Sequence, residues 1–343
     1  MLAPSAPLCI DTHNDSIVFH IRTGNRRFTS EGQSLPGRDG LVSYLRGPLP
    51  GGATPPQLDL ARMKQGAIDA AFFAVDVTRA WNNHLAYLLD AIGFFLEDLA
   101  LQDELVVVLT AGEILAAKGQ GRRGALLVLE NSDALQGSLN ILHALHEIGI
   151  RSITLTHNPT SLAAAGNGES ASGGGLTQFG RSLVAEMNRL GMLIDVSHIA
   201  ERGFWDVLSV SDQPVIASHS CCSALCAHPR NLTDSQLRAL GCAGGVACIT
   251  FVPSFLWEDG GEGRGALESV ERILDHVDHA VNLIGAENVG IGSDFDGGGT
   301  ALPSATDFPL LAVGLSARGY RDEAINGIMG GNVLRLLQAT LGS

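Results

Sequence analysis

Eight short runs of apolar and β-branched residues, each followed by a longer stretch of helical periodicity, set the terms for how this chain folds. The runs fall at 8–12, 68–75, 125–129, 152–156, 192–196, 215–218, 245–251 and 289–293. Near-continuous apolar runs of this length are what parallel strands buried on both faces look like. Helical segments are predicted between them, including 85–99, 138–148, 179–190, 234–240, 267–283 and 321–337. A further run at 105–109 reads as an extra strand or the end of a long connection. The alternation predicts an α/β fold, a (β/α)8 TIM-type barrel, with a doubly wound open sheet as the competitor. No linker interrupts the 343 residues, so one barrel domain over 1–343 is expected.

The polar residues bear on the choice. The predicted strands run into Asp11, His13 and Asp15, into Glu130 and Asn131, into His157 and Asn158, into Asp195 and His198, into His219, and into Asp294 and Asp296. One such residue is ordinarily a loop contact. Six strands ending this way are another matter, because a barrel gathers those ends at one mouth, where its active site sits. Three Gly- or Pro-rich loops, at 23–57, 166–175 and 258–265, follow strands on the same face.

Composition removes several functions. With 22 Lys and Arg against 36 Asp and Glu, the net charge of −14 repels nucleic acid and anionic lipid. Cys9, Cys221, Cys222, Cys226, Cys242 and Cys248 show no repeated C-x-x-C spacing and read as reduced thiols. There is no signal-peptide pattern, no apolar run near the ~20 residues of a membrane span, and no lipid-anchor tail. A soluble, cytoplasmic protein without a membrane partner is expected.

Histidine and carboxylate donors without cysteine suit a divalent ion such as Zn²⁺, Mn²⁺ or Co²⁺. His13 and Asp15 stand one residue apart, so both face inward only where the strand breaks into loop. A Glu available to bridge permits two ions.

The motifs Ile10-Asp-Thr-His-Asn-Asp15, Leu155-Thr-His-Asn158, Gly175-Leu-Thr-Gln-Phe-Gly-Arg181 and Met187 to His198 resemble the membrane dipeptidase (renal dipeptidase) family, peptidase family M19. Ala217-Ser-His-Ser220, His228-Pro-Arg-Asn231, Gly290 to Gly297 and Gly330-Gly-Asn-Val-Leu334 extend the resemblance across the chain, to the family's soluble bacterial members. The resemblance implies a metal-dependent, amidohydrolase-like hydrolase with two zinc ions. His13 and Asp15 would hold one, His198 and His219 the other, and Glu130 would bridge both. It implies a hydroxide between the ions as nucleophile, Asp294 moving its proton to the leaving amine, His157 stabilising the oxyanion and Arg230 pairing with the substrate's terminal carboxylate. Each role suits its residue: a poor leaving amine needs an acid, an oxyanion needs a donor, and a guanidinium matches a carboxylate. The implied substrates are dipeptides, L-Xaa-L-Xaa and also L-Xaa-D-Xaa, and the implied assembly is a homodimer. An alternative keeps the centre but acts on an N-acyl amino acid or a lactone; a required free α-amino group separates the two.

One departure stands out. After the bridging Glu the family commonly has small residues and then a His, whereas this chain reads Glu130-Asn131-Ser132-Asp133. Metal ligation is untouched; substrate preference is where the difference is expected. Other patterns carry less. Gly119-Gln-Gly-Arg-Arg-Gly124 precedes a strand, the wrong context for a dinucleotide. His143, His146, His276 and His279 are read as solvated helix faces, and Cys221 and Cys222 as diverging side chains.

Overall fold

The computed structural model describes residues 7–35, 40–49, 55–261 and 263–342. Nine strands form one parallel sheet: β1 (Ile10–Asn14), β2 (Ala70–Asp76), β3 (Leu105–Val107), β4 (Arg123–Glu130), β5 (Ile150–Thr154), β6 (Leu193–Asp195), β7 (Ile216–Ser220), β8 (Val246–Ile249) and β9 (Val289–Ile291). Leaving β3 aside, the order β1-β2-β4-β5-β6-β7-β8-β9 never reverses. A doubly wound sheet would reverse at a switch point. The ends meet instead: Asn14 bridges Phe295 in parallel, with Asp294 N donating to His13 O at 3.0 Å and Asp15 N to Phe295 O at 2.9 Å. The fold is the (β/α)8 barrel.

All eight expected runs form strands, and the 105–109 run becomes β3. It pairs with the start of β4, Leu105 opposite Arg123, on the edge that β5 takes over at Leu127.

Alternate side chains divide between two apolar layers, as the pleat requires. Ile10, Phe72, Leu126, Leu193, Ile216 and Val246 fill the barrel. Val333, Leu336 and Leu337 of the helix Asn332–Thr340 close its floor. Phe73, Leu127, Ile153 and Ile194 face the outer helices. Those helices start where local chemistry predicts: Thr177 accepts Gly180 N at the head of Gln178–Leu190, and Thr233 and Gln236 form a capping box before Asp234–Cys242.

Four expectations are corrected. The helix expected at 321–337 is broken into Asp322–Asn326, a wide turn Gly327–Gly331 and Asn332–Thr340. The break lets the chain pass against β1, where a Cβ on Gly330 would lie 2.7 Å from Leu8 O and 2.9 Å from Ile10 N. The 23–57 segment, read as loop, contains the helix Leu41–Arg46; its residues 36–39 and 50–54 lie outside the described residues, as does residue 262 of the 258–265 loop. The 166–175 loop contains the 3-10 segment Asn167–Ser172. His276 is not solvated. It is fully buried, its Nδ1 accepting Cys222 N–H at 3.1 Å. His143 and His279 do face solvent, beside Glu186 and Asp234. Cys221 and Cys222 diverge, towards Thr250 O and His276 O.

Candidate active site at the barrel mouth

Two strands bulge where their histidines are needed. Between Asp11 and Asn14, three residues of β1 oppose two of β2, and between Ala217 and Ser220, three of β7 oppose two of β8. An extra residue re-aims the side chains that follow it. This is how His13 and Asp15 reach the same space despite their spacing, and how His219 joins them. His198 and Asp294 are turned in by a costlier device, a left-handed backbone at φ 66° and 60°. Gly297 leaves room for the result, since a Cβ there would collide with both Asp15 Oδ2 and Asp294 Oδ1.

Glu130, at the end of β4, lies among the histidines, and its two oxygens face different partners. Oε2 is 3.7 Å from His13 Nε2, which is itself 3.7 Å from Asp15 Oδ2. Oε1 is 3.3 Å from His198 Nε2 and 3.7 Å from His219 Nε2. Two donor sets therefore share one carboxylate.

The tautomers of His198 and His219 follow from their outer contacts. His198 Nδ1 donates to Asn158 Oδ1 at 2.8 Å. Ser218 Oγ gives its proton to Asp195 Oδ2 at 2.6 Å, so it accepts from His219 Nδ1 at 2.8 Å. Both protons thus lie on Nδ1, yet the two Nε2 atoms are 2.8 Å apart. Two lone pairs at that distance call for a cation between them. Burial, with the positive charge of Arg230 adding to it for His198 and that of His13 for His219, pushes both rings far below the usual range. They stay neutral, as ligands must.

The carboxylates make the same demand. Burial raises Glu130 well above the carboxylate range, with the charges of Asp15 and Asp76 adding to it. Burial and the neighbouring Asp15 bring Asp294 to about 7. Burial pulls His13 down, but Glu130, Asp15 and Asp294 overcome it and lift the ring to about 10. Every donor separation above is shorter than two zinc–nitrogen bonds of about 2.0–2.1 Å. The donors fit divalent ions: His13, Asp15 and Glu130 form one candidate group, and Glu130, His157 and His198 another. Asp195 also lies near His13 and His219, but its oxygens are taken by Ser197 N, Ser218 N, Thr154 Oγ1 and Ser218 Oγ. It fixes the Ser218 hydroxyl that accepts from His219 Nδ1.

The cleft above these groups has a volume of about 850 Å³ and includes His157, whose ring stacks on His198 at 4.2 Å between centroids. Arg230 lies behind the wall. It is 5% exposed, with Nη2 donating to His219 O at 2.9 Å, Phe255 against its face, and Nε buried without a partner. The Asn131-Ser132-Asp133 turn is tied inward, Asn131 at φ 74° donating to Thr78 Oγ1 and Asp133 accepting Leu162 N.

Sequence reasoning missed Asp76, opposite Glu130 in register, because the predicted strand stopped at Val75; reading one residue further would have found it. It also assigned no role to Asn158, Ser218 or Asp195. Arg22, Arg46 and Arg79, which line the same cleft, lay in segments without a motif.

Comparison with known proteins gives the arrangement a family. The profile of the family described as membrane dipeptidase (peptidase family M19) matches residues 10–341. Dipeptidase verJ of Clonostachys rogersoniana is 34% identical over 82% of this chain and 75% of its own. An uncharacterised dipeptidase of Schizosaccharomyces pombe is 31% identical over 96% and 80%. A crystal structure of a Rhodobacter sphaeroides metallopeptidase, bound to a phosphinate mimic of L-Ala-D-Ala, is 29% identical, covers 97% of this chain and 99% of its own, and superposes with a TM-score of 0.82. No helix among the described residues is long and apolar enough to cross a membrane. This chain, a metal-dependent hydrolase of the (β/α)8 class, belongs to the membrane dipeptidase family, peptidase family M19.

Proposed function

We propose that the protein hydrolyses free dipeptides, L-Xaa-L-Xaa and L-Xaa-D-Xaa, at a centre of two zinc ions, for which Mn²⁺ or Co²⁺ could substitute. The observation that carries this reading is Glu130, one oxygen towards His13 and the other towards His198 and His219. His13 and Asp15 would hold one ion, His198 and His219 the other, and Glu130 both. Ions bound there supply an activated hydroxide as nucleophile and polarise the scissile carbonyl.

The remaining work falls to side chains. Asp294, brought to about 7 by burial and Asp15, is able both to accept a proton and to return it near neutrality. It takes the nucleophile's proton and passes it to the leaving nitrogen. His157, at the cleft surface beside His198, donates to the carbonyl oxygen as negative charge develops. Arg230 has its buried, unpartnered Nε left for the substrate's terminal carboxylate. Tolerance of a D-residue at the second position follows from anchoring by that carboxylate, with the side chain left towards open cleft, and it parallels the L-Ala-D-Ala mimic held by the Rhodobacter relative. The same reading takes a single barrel domain and a homodimer as the working unit, on family membership.

The test is hydrolysis of L-Ala-L-Ala, L-Ala-D-Ala, N-acetyl-L-Ala-L-Ala and a tripeptide by zinc-loaded protein, with a chelated control. Cleavage of the free dipeptides alone, abolished by chelation, is expected. Cleavage of the acetylated compound in their place would overturn the dipeptidase reading in favour of an N-acyl amino acid hydrolase.

A further inference from the structure

The chain has far fewer basic than acidic residues, and many of its arginines are paired with carboxylates. Arg27 pairs with Asp98, Arg62 with Asp59, and Arg318 with Glu271, Asp275 and Asp278. The cleft breaks this pattern. Arg22, Arg46 and Arg79 all line it on the side of β1 and β2, and none forms an ion pair among the described residues.

Their grouping has a structural logic. Arg22 ends the helix Ser16–Arg22 and donates through Nε to Gly47 O at 3.1 Å and through Nη2 to Arg46 O at 3.5 Å. It thereby fixes the end of the helix Leu41–Arg46. Arg46 is half-buried beside Tyr87, and Arg79, past the end of β2, is exposed. Arg22 feels the other two: burial and the charges of Arg46 and Arg79 lower it, whereas for Arg46 burial is outweighed by Tyr87, Asp76 and Asp15, which raise it. Unpaired like charges gathered in a cleft are costly unless a ligand of opposite charge comes to meet them. Two carboxylates, Asp15 and Asp76, share this wall. Asp15 faces His13, as Glu130 does, whereas Asp76 Oδ1 accepts Thr78 N at 2.8 Å.

We propose that Arg46 and Arg79, buttressed by Arg22, form an anion subsite that selects dipeptides whose N-terminal residue is aspartyl or glutamyl. The inference rests on the dipeptidase reading above, including Arg230 as partner of the terminal carboxylate. Ring order places β7, which carries the His219 and Ser220 groups that Arg230 touches, opposite β2. A dipeptide anchored on the β7 side and crossing the Glu130 centre presents its N-terminal residue to the β1–β2 wall. An acidic N-terminal residue carries both charges this wall can match, its α-ammonium for Asp76 and its side-chain carboxylate for the guanidiniums.

The experiment measures kcat/KM for L-Glu-L-Ala, L-Gln-L-Ala, L-Ala-L-Glu and L-Ala-L-Gln. Glutamate and glutamine differ in charge at nearly equal size, so their ratio isolates the electrostatic contact. A charge-assisted hydrogen bond predicts a first-position Glu/Gln ratio of about 10 to 100, shrinking as salt is added. The ratio falls in Arg79→Gln, an exposed position that leaves folding undisturbed, and approaches unity in the double variant with Arg46→Gln. Arg79→Glu shifts preference towards L-Lys-L-Ala. A ratio near unity in the wild type, a ratio retained in both variants, or a preference confined to the second position would each overturn the proposal. The underlying reading fails differently: none of the four dipeptides would then be hydrolysed.

Discussion

The floor and the mouth of this barrel are built on opposite rules. The floor is apolar, with Ile10, Phe72 and Leu126 packed against Val333, Leu336 and Leu337 and no ionisable group among them. The mouth buries Asp11, His13, Glu130, Asp195, His198, His219 and Arg230, and holds His198, Asp294 and Asp296 in left-handed backbone. Close-packed apolar layers give stability, whereas buried charge and backbone strain cost it. The difference teaches where each kind of substitution is felt. Changes at the floor alter how much protein is folded, and changes at the mouth alter what the folded protein does.

Asp294→Asn gives the largest effect at the mouth. The proton-transfer role proposed for Asp294 predicts that kcat falls by roughly 10²- to 10⁴-fold. Bound metal, measured by atomic absorption, and the melting temperature stay close to wild type. A lowered melting temperature with normal turnover would erase the distinction between the two regions.

Leu336→Ala is the matching change at the floor. Truncating a fully buried Leu there costs about 2–5 kcal/mol in urea unfolding, while kcat/KM per folded molecule is preserved.

His276 sharpens the comparison, because it is a buried histidine with no part in the mouth. Burial lowers it to about 4, and a backbone N–H donating into Nδ1 keeps that nitrogen unprotonated. Below pH 6.5 the unfolded chain gains a proton that the native ring refuses. Its contribution is therefore complete above pH 6.5 and is lost as pH falls towards 4, by up to roughly 3 kcal/mol. Urea midpoints between pH 7 and 4.5 check this, with His276→Gln expected to flatten the decline.

The smallest effect belongs to Asn158→Ala. Releasing His198 Nδ1 weakens metal binding by about 10- to 100-fold, read by competition with a chelating dye. Stability of the metal-free protein is little changed.

How much of this was legible in the sequence differs between the two regions as well. The strands were readable because parallel strands are apolar on both faces, and no tertiary detail is needed to see it. Strand ends carrying His13, Glu130, His198, His219 and Asp294 were readable because a barrel sends such ends to one place. What was not readable depended on contacts distant in sequence. His276 sits on a helix among charged residues, Glu271, Asp275 and Asp278, and only the packing of Cys222 and Leu256 against it explains its burial. The break at Gly330 reflects the passage of β1, more than 300 residues earlier in the chain. The bulges of β1 and β7 are register events, visible only once the partner strands are known. Arg46 has no motif at all; its place in the cleft comes from a helix inside a segment that reads as loop.

The central claim is that one carboxylate serves two ions. Equilibrium dialysis of metal-stripped protein against Zn²⁺, compared with Glu130→Gln, tests it most directly. The account predicts two tightly bound ions per wild-type chain and weakened binding of both in the variant. A single ion in the wild type, or two ions held with undiminished affinity by Glu130→Gln, would contradict it.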